Sequence, residues 1–176
     1  MNYRKAFISK LNENISNVYY KIMKQEGLKI NYVCNLPCCD KNELVKFYRE
    51  NFVNETSQKV TLFGPHRDDF DFYLHDENLK LYGSQGQQRV AILSLKLSEI
   101  SIFKEVKGYY PIVLLDDIFS ELDIDKRKRV INYLDKEIQT IITTTDLNNL
   151  DDELVSKARI FRVENGNIVD SGEVVI

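Results

Sequence analysis

Apolar residues recur at spacings of three and four along several stretches of the chain, which is the spacing of one face of an α-helix. This pattern predicts a first helix from Met1 to about Gly27 and a second from Lys41 to about Val53 with Asp40 as its cap. It predicts a third from the glycine-rich turn at 83–88 to about Val106, and a basic helix from Asp125 to Lys136. The predicted apolar positions are Phe7, Leu11, Ile15, Val18 and Ile22; Leu44, Phe47 and Tyr48; and Val90, Leu93, Leu97 and Ile100.

Short apolar or alternating runs between turn residues predict the strands. They are Leu28–Val33, Val60–Phe63, Phe70–Leu74, Leu79–Leu81, Ile112–Leu115, Thr140–Thr145, Arg159–Val163 and Ile168–Val169. The last two form a hairpin, because Asn165–Gly166 supplies the positive φ angles of a tight turn. Helix and strand alternate in the second half of the chain, which favours an α/β layer.

Composition narrows the class of protein. The chain has 176 residues, of which 43% are hydrophobic, and this suits one medium domain or one domain with a helical appendage. The formal net charge of -3 argues against binding nucleic acid by bulk positive charge. No apolar run is long enough to span a bilayer and the start lacks a signal-peptide pattern, so a cytoplasmic protein without a membrane partner is expected. Cys34, Cys38 and Cys39 are an odd, clustered set, expected to be reduced cysteines rather than a zinc site.

A glycine-rich turn, Gly83–Gln87, opens the long apolar helix. The N–H groups of a first helical turn lack partners and the helix dipole favours negative charge there, so Ser84, Gly86 and Gln87 can hold a phosphate. The alternative is that Ser84 is an ordinary helix cap. Arg89 lies one turn further on and can support an anion or a neighbouring carboxylate.

A pair of carboxylates, Asp116 and Asp117, follows the apolar run 112–115. Charge beside a buried strand end is costly unless it serves a metal or a partner. The two carboxylates are expected to have different roles, with Asp116 binding magnesium and Asp117 acting on an attacking water. Residues Ser120 to Asp123 then form a polar turn that reaches a second subunit or caps the next helix. Thr143, Thr144 and Thr145 close the next strand, either to place a hydroxyl near a phosphate or through β-propensity alone.

Together, the turn and the carboxylate pair indicate phosphate chemistry with magnesium. None of the seven glycines is followed by lysine, so this sequence contains no G-x-x-x-x-G-K-[ST] loop to cradle the phosphates of its own nucleotide. The pattern is that of the second half of a nucleotide-binding machine.

Two further charged segments have several interpretations. Gly64-Pro-His-Arg-Asp-Asp69 fits a metal site, a general-base site or a salt-bridged turn, and the roles of His66 and Arg67 stay open. The basic segment Lys126–Arg129 is expected to be an exposed helix face, with DNA-phosphate contact as the alternative.

Three segments resemble motifs of the RecF family, in the order of that family. They are Thr61-Leu-Phe-Gly-Pro-His-Arg-Asp-Asp69, Tyr82-Gly-Ser-Gln-Gly-Gln-Gln-Arg89 and Leu114-Leu-Asp-Asp-Ile-Phe-Ser-Glu-Leu-Asp123. RecF proteins are recombination-repair ATPases whose heads are related to ABC and SMC ATPases. The resemblance implies an α/β fold: the C-terminal lobe of an ABC-type ATPase head at residues 59–176, preceded by a mostly helical arm at residues 1–58. The family's N-terminal lobe, with its Walker A loop, has no counterpart in this sequence.

The resemblance also implies roles for residues. Gly83, Ser84, Gln85, Gly86 and Gln87 would be the ABC signature motif, which acts on ATP held by the other subunit of a dimer. Asp116 would be the Walker B ligand of Mg2+, Asp117 the catalytic carboxylate, and Ser120–Asp123 the D-loop, with Asp123 near the nucleotide. Thr145 falls where many ABC ATPases place a switch histidine.

The function implied is that of an ATP-dependent dimer that binds DNA at single-strand gaps and single-strand/double-strand junctions. Such proteins act with RecO- and RecR-like partners to load recombinase in repair, replication and the SOS response. This chain alone is expected to be inactive as an ATPase. Three alternatives stay open: a non-catalytic DNA- or protein-interaction fragment, the head of another SMC-like ATPase, and a metal-dependent nuclease built from His66, Asp68, Asp69, Asp116 and Asp117.

Overall fold

The fold is taken from a computed structural model that describes residues 2–37, 40–134, 137–145, 155–156 and 158–172. Helices and strands alternate along much of the chain. The helices are α1 (Asn2–Met23), α2 (Lys41–Gln58), α3 (Leu79–Tyr82), α4 (Gln85–Lys107) and α5 (Ile124–Tyr133), with 3-10 turns at Pro65–Arg67 and Ile118–Glu121. The strands are β1 (Leu28–Val33), β2 (Asp69–Leu74), β3 (Glu77–Asn78), β4 (Val113–Asp116), β5 (Thr140–Thr143), β6 (Ile160–Glu164) and β7 (Asn167–Gly172).

The chain divides into two compact units. The first comprises residues 1–20 and 25–102, and the second comprises residues 21–24 and 103–176. In the first unit, β1 pairs antiparallel with β2, so a strand of the predicted arm joins a strand from beyond the predicted boundary at residue 58. The units divide the chain by packing and not by role, so the predicted functional division stays a prediction.

The first unit has an antiparallel sheet in the order β1-β2-β3 and a core of apolar helix faces. All four predicted core residues of α4 are buried, as are Leu11, Ile15 and Val18 of α1, while Phe7 is partly exposed. At the edge of β1, the Asn12 side chain donates to the Ile30 carbonyl and accepts from the Ile30 N–H, both at 2.8 Å. An amide side chain thereby satisfies both backbone groups of a buried strand residue.

The second unit is built around the parallel pair β4 and β5. Val113 and Leu115 point to a covered face of this pair and are buried. The β6–β7 hairpin turns at Asn165 and Gly166, both at positive φ, which confirms the predicted tight turn.

Several predicted boundaries were wrong for local reasons. The helix capped by Asp40 runs on to Gln58, and Leu44, Phe47 and Tyr48 are only half-buried on it. Residues 60–63 are not a strand, because the Glu55 carboxylate binds the N–H groups of Leu62 and Phe63 at 2.7 and 3.2 Å.

The predicted strand Leu79–Leu81 was also wrong. Asn78 caps a helical turn there by accepting from the Lys80 N–H at 2.8 Å. The β2–β3 turn before it is made by His75 and Asp76, both in the left-handed conformation. The predicted C-terminal end of the basic helix, Lys136, lies outside the described residues.

The two hydrogen bonds between the Asn12 side chain and the Ile30 backbone predict a measurable contribution to stability. Asn12→Ala should lower the free energy of unfolding by about 2 kcal/mol, because the buried N–H and C=O of Ile30 lose their partners. The measurement is urea unfolding, with Asn17→Ala, an exposed position on the same helix, as control. Equal stability of the two variants would show that the hydrogen bonds between Asn12 and Ile30 do not stabilise the fold.

Candidate functional site

The glycine-rich turn is a reciprocally hydrogen-bonded helix cap. Ser84 Oγ accepts from the Gln87 N–H at 3.2 Å, and the Gln87 side-chain oxygen accepts from the Ser84 N–H at 2.9 Å. Each residue therefore satisfies a backbone donor of the other. The Ser84 hydroxyl keeps its proton, and the Gln87 amide keeps its NH2 group, as donors at an exposed helix start.

The two glycines of this turn serve different needs. A Cβ at Gly83 would lie 2.6 Å from the Leu79 carbonyl oxygen, so glycine is required there for the chain to fold back. A Cβ at Gly86 would meet no atom of the described residues within 4 Å. Gly86 therefore leaves space that none of these residues fills.

Gln88 braces the turn against α3. Its side-chain NH2 donates to the carbonyls of Leu79 and Gly83 at 2.8 and 3.1 Å. A hollow of about 120 Å³ adjoins the turn, with Tyr82, Gly83, Gln87 and His75 among its lining residues. The turn is thus rigidly held while one side of it stays accessible.

In the second unit, the carboxylate pair lies at the carboxyl end of β4, as predicted. Parallel pairing places Thr143 of β5 opposite Asp116. The Thr143 hydroxyl donates to Asp116 Oδ1 at 2.6 Å and accepts from the Asp117 N–H at 3.0 Å. Asp117 takes the left-handed conformation, with φ 45°, which aspartate tolerates better than most residues.

Two further predicted site residues are Asp123 and Thr145. Asp123 caps α5 by accepting from the Lys126 N–H at 2.9 Å, and the side-chain and backbone hydrogen bonds from Lys126 lower the pKa of Asp123. Thr145 is exposed two residues beyond the end of β5. Thr143, rather than Thr145, contacts the carboxylate pair, and β-propensity gave no signal that distinguished these threonines.

Asp116 suits Mg2+ in its donor chemistry. Mg2+ binds hard oxygen ligands and commonly takes one or two protein carboxylates together with substrate phosphates. Within the described residues, no group of three or more His, Cys, Asp and Glu side chains could hold a metal ion unaided. A single exposed carboxylate therefore fits a metal shared with a nucleotide better than a protein-only metal cage.

The segment 64–69 turns out to be organised by a buried carboxylate. The side chain of Asp68 is 2% exposed and forms the Asp68 cluster with Arg4, Tyr32 and Asn35. Asp68 accepts from Arg4 at 2.7 Å, from the Asn35 N–H at 3.0 Å and from the Tyr32 hydroxyl. Burial opposes ionisation, but these hydrogen bonds outweigh it and hold the pKa of Asp68 below its ordinary value.

This cluster makes Asp68 a structural residue that is unsuited to a nuclease metal site. His66 and Arg67 both approach the Thr61 carbonyl, at 3.4 and 3.1 Å.

Of the cysteines, Cys34 is free and half-buried, whereas Cys38 and Cys39 lie outside the described residues.

The basic segment of α5 is not simply a solvated face. Arg129 donates to the Ile22 carbonyl at 2.9 Å, and Arg127 donates to the Leu122 carbonyl at 2.7 Å. Lys126 is engaged with Asp123. The expectation of an exposed face was wrong for these three residues, because each cation is half-buried against a partner in its own unit.

Comparison with curated proteins gives long matches to proteins named RecF. The chain is 39% identical over 173 residues to the DNA replication and repair protein RecF of Exiguobacterium sp., and 37% identical over 168 residues to that of Clostridium perfringens. Each match covers 94% of this chain and 46% of the relative.

Over nearly all of its length, the chain resembles RecF proteins. It spans about half the length of the curated RecF proteins that it matches, consistent with the C-terminal half. No model of a protein family matches the chain.

Solved RecF structures have the same fold. The recombination mediator protein RecF-ATPrS of the RecFOR pathway matches with a TM-score of 0.74 and 28% identity, over 96% of this chain and 45% of that one. The corresponding RecF-ATP structure matches with a TM-score of 0.72 and 27% identity, over 98% of this chain and 46% of that one. An SMC ATPase structure shares the fold at a TM-score of 0.54 and 17% identity, over 98% of this chain and 89% of that one.

These matches confirm the predicted α/β fold class, which this chain shares with the RecF and SMC ATPase structures. Among the described residues, no helix is both long enough and apolar enough to cross a membrane.

The Asp68 cluster predicts an acid-sensitive first unit. Because the folded-state pKa of Asp68 is lowered, its contribution is fully present above the unfolded value of about 3.9 and is lost as pH falls through the folded value. Asp68→Asn should therefore flatten the acid limb of the stability profile and lower the free energy of unfolding at pH 7 by about 1–3 kcal/mol.

Thermal unfolding between pH 2 and pH 7 measures this effect. Asp76→Asn, an exposed carboxylate in the β2–β3 turn, is the control and should keep the wild-type profile. An unchanged acid limb in Asp68→Asn would rule out the Asp68 cluster as its source.

Proposed function

We propose that this chain is the C-terminal part of a RecF-like DNA repair ATPase and supplies the half of the nucleotide site that acts across a dimer. The observation that carries the proposal is the glycine-rich turn. Its donors are preset by reciprocal hydrogen bonds, and no described residue comes within 4 Å of where a Gly86 side chain would lie. Such a turn at the start of the long helix α4 suits the terminal phosphate of a nucleotide that another subunit holds.

The proposed roles follow from the donor groups. Gly83, Ser84, Gln85, Gly86 and Gln87 contact the phosphate of the nucleotide that the other subunit holds, through the Ser84 hydroxyl, the Gln87 amide and the backbone. Asp123 and Thr145 are proposed as further residues that contact nucleotide. Asp117 orients the attacking water, and Asp116 is the carboxylate for Mg2+. When bound, Mg2+ neutralises developing charge on the phosphates of ATP.

The biological role is proposed from the relatives. The RecF proteins it matches are named for DNA replication and repair, and two matched structures are RecF with nucleotide in the RecFOR pathway. We infer an ATP-dependent homodimer of the complete protein in the cytoplasm, bound to gapped or junction DNA. Its partners would be RecO- and RecR-like proteins, and its task recombinase loading in recombinational repair, replication and the SOS response.

An uncovered face of the β4–β5 sheet supports a contact with an N-terminal lobe. On β4 and β5, Leu114 is 70% and Ile141 49% exposed, and Ile112 just before β4 is 62% exposed. Parallel sheets are almost always covered on both faces. We propose that the N-terminal lobe, with its nucleotide cradle, packs on this face.

The alternatives have less support. An SMC-like head matches with lower identity and a lower TM-score than RecF does. The nuclease alternative needs Asp68 as a metal ligand, but the hydrogen bonds of the Asp68 cluster already occupy this carboxylate. A non-catalytic interaction fragment predicts that Asp117→Asn changes nothing after the N-terminal lobe is supplied.

ATP hydrolysis tests the proposed centre. This chain alone should hydrolyse ATP negligibly, and mixing it with a separately produced N-terminal RecF lobe should restore turnover that gapped DNA modulates. In that mixture, Asp117→Asn should reduce turnover at least about 100-fold, because it removes a proton acceptor. Asparagine also tolerates the left-handed backbone, so the fold is kept.

Gly86→Asp separates function from stability in the same mixture. An acid in the first helical turn does not destabilise a helix, but it repels an approaching phosphate. Turnover should be lost while the thermal midpoint stays the same or rises. Full turnover by either variant, or rapid hydrolysis by the chain alone, would contradict the proposal.

Binding of the N-terminal lobe tests the role of the uncovered face independently of ATP hydrolysis. Leu114→Lys should weaken binding to the N-terminal lobe at least about tenfold, since it places a charge in an apolar contact, without destabilising the chain alone. Val53→Lys, at a position 75% exposed on α2, is the matched control. Sedimentation velocity measures both, and equal binding by the two variants would place the lobe elsewhere.

A further inference from the structure

We propose that Thr143 is a positioning residue of the ATPase centre, through which one hydroxyl sets both members of the carboxylate pair. The inference rests on the proposed function, because it concerns how Asp116 and Asp117 are held for that reaction. It differs from the role considered for the threonine run from sequence, which was a hydroxyl directed at the phosphate.

The hydrogen-bond polarity at Thr143 is determined by its partners. The backbone N–H of Asp117 is a donor, so it occupies a lone pair of Thr143 Oγ1 at 3.0 Å. The hydroxyl has a single proton, and this proton is directed to Asp116 Oδ1 at 2.6 Å. With its proton committed to Asp116, Thr143 does not donate to a phosphate at the same time.

This bond orients the Asp116 carboxylate. A hydrogen bond to an ionised acceptor is short and strong, and it restricts rotation of the carboxylate group. It occupies Oδ1, while Oδ2 has no hydrogen-bond partner among the described residues. Asp116 therefore presents one defined oxygen to a cation, as a positioned metal ligand must.

The second bond holds the backbone of Asp117. A left-handed conformation is unfavourable for a residue with a side chain, and it persists where surrounding contacts maintain it. The N–H of Asp117 is tied to Thr143 at the point where β4 ends and φ becomes 45°. Loss of the hydroxyl removes this tie together with the one to Asp116.

The test compares Thr143→Val, which keeps the branched shape but removes the hydroxyl, with Thr143→Ser, which restores the hydroxyl. In this chain alone, hydrogen exchange followed by NMR should show the Asp117 amide exchanging about tenfold faster in Thr143→Val, because its acceptor is gone. Thr143→Ser should remain near the wild type. Equal exchange in all three chains would overturn the inference whatever the ATPase result.

The second readout uses the mixture with the N-terminal lobe. Thr143→Val should raise the Mg2+ concentration for half-maximal turnover at least about fivefold and lower kcat, while the KM for ATP changes less than about twofold, because uniform substrate binding is untouched. Thr143→Ser should rescue both values, which a loss of packing alone would not predict.

The outcomes separate the two proposals. If the wild-type mixture turns over ATP and Thr143→Val matches it in Mg2+ dependence, the positioning role is wrong and the proposed function stands. If the wild-type mixture associates but is inactive, the proposed function fails, and the positioning role fails with it.

Discussion

Parallel hydrogen bonding between β4 and β5 sets Asp116 and Thr143 at the same level of the sheet, and the proposed roles of the carboxylate pair depend on that alignment. A slip of one residue would turn Thr143 to the opposite face and remove its hydroxyl from both aspartates. The same pairing gives this unit one covered and one uncovered apolar face. Two parallel strands bury Val113 and Leu115 on one side and leave Leu114 and Ile141 uncovered on the other.

The glycine-rich turn is built in the opposite way, from short-range contacts. Ser84, Gln87 and Gln88 hold it through hydrogen bonds that span nine residues or fewer. Its geometry therefore follows from local sequence, whereas that of the carboxylate pair needs a strand 26 or 27 residues away. The turn and the carboxylate pair should consequently respond differently to destabilisation, with the local cap persisting longer.

The same distinction explains what could be predicted from sequence. The apolar stripe of α4, the Asp40 cap and the Asn165–Gly166 turn depend on periodicity and capping, and all three were predicted correctly. The segment 60–63 could not be predicted, because a side chain of α2 takes the N–H groups that a strand would pair. The buried role of Asp68 depends on Arg4, 64 residues away, and the choice of Thr143 over its neighbours depends on strand register.

The reciprocal cap of Ser84 and Gln87 has a consequence for the kinetics of assembly. A loop that must be ordered on contact loses conformational entropy at that moment, and this weakens and slows association. Here the side chains that would meet a second subunit are already fixed by their own helix. In the proposed dimer, the barrier to encounter at this surface would come from desolvation and orientation rather than from rearrangement of the turn.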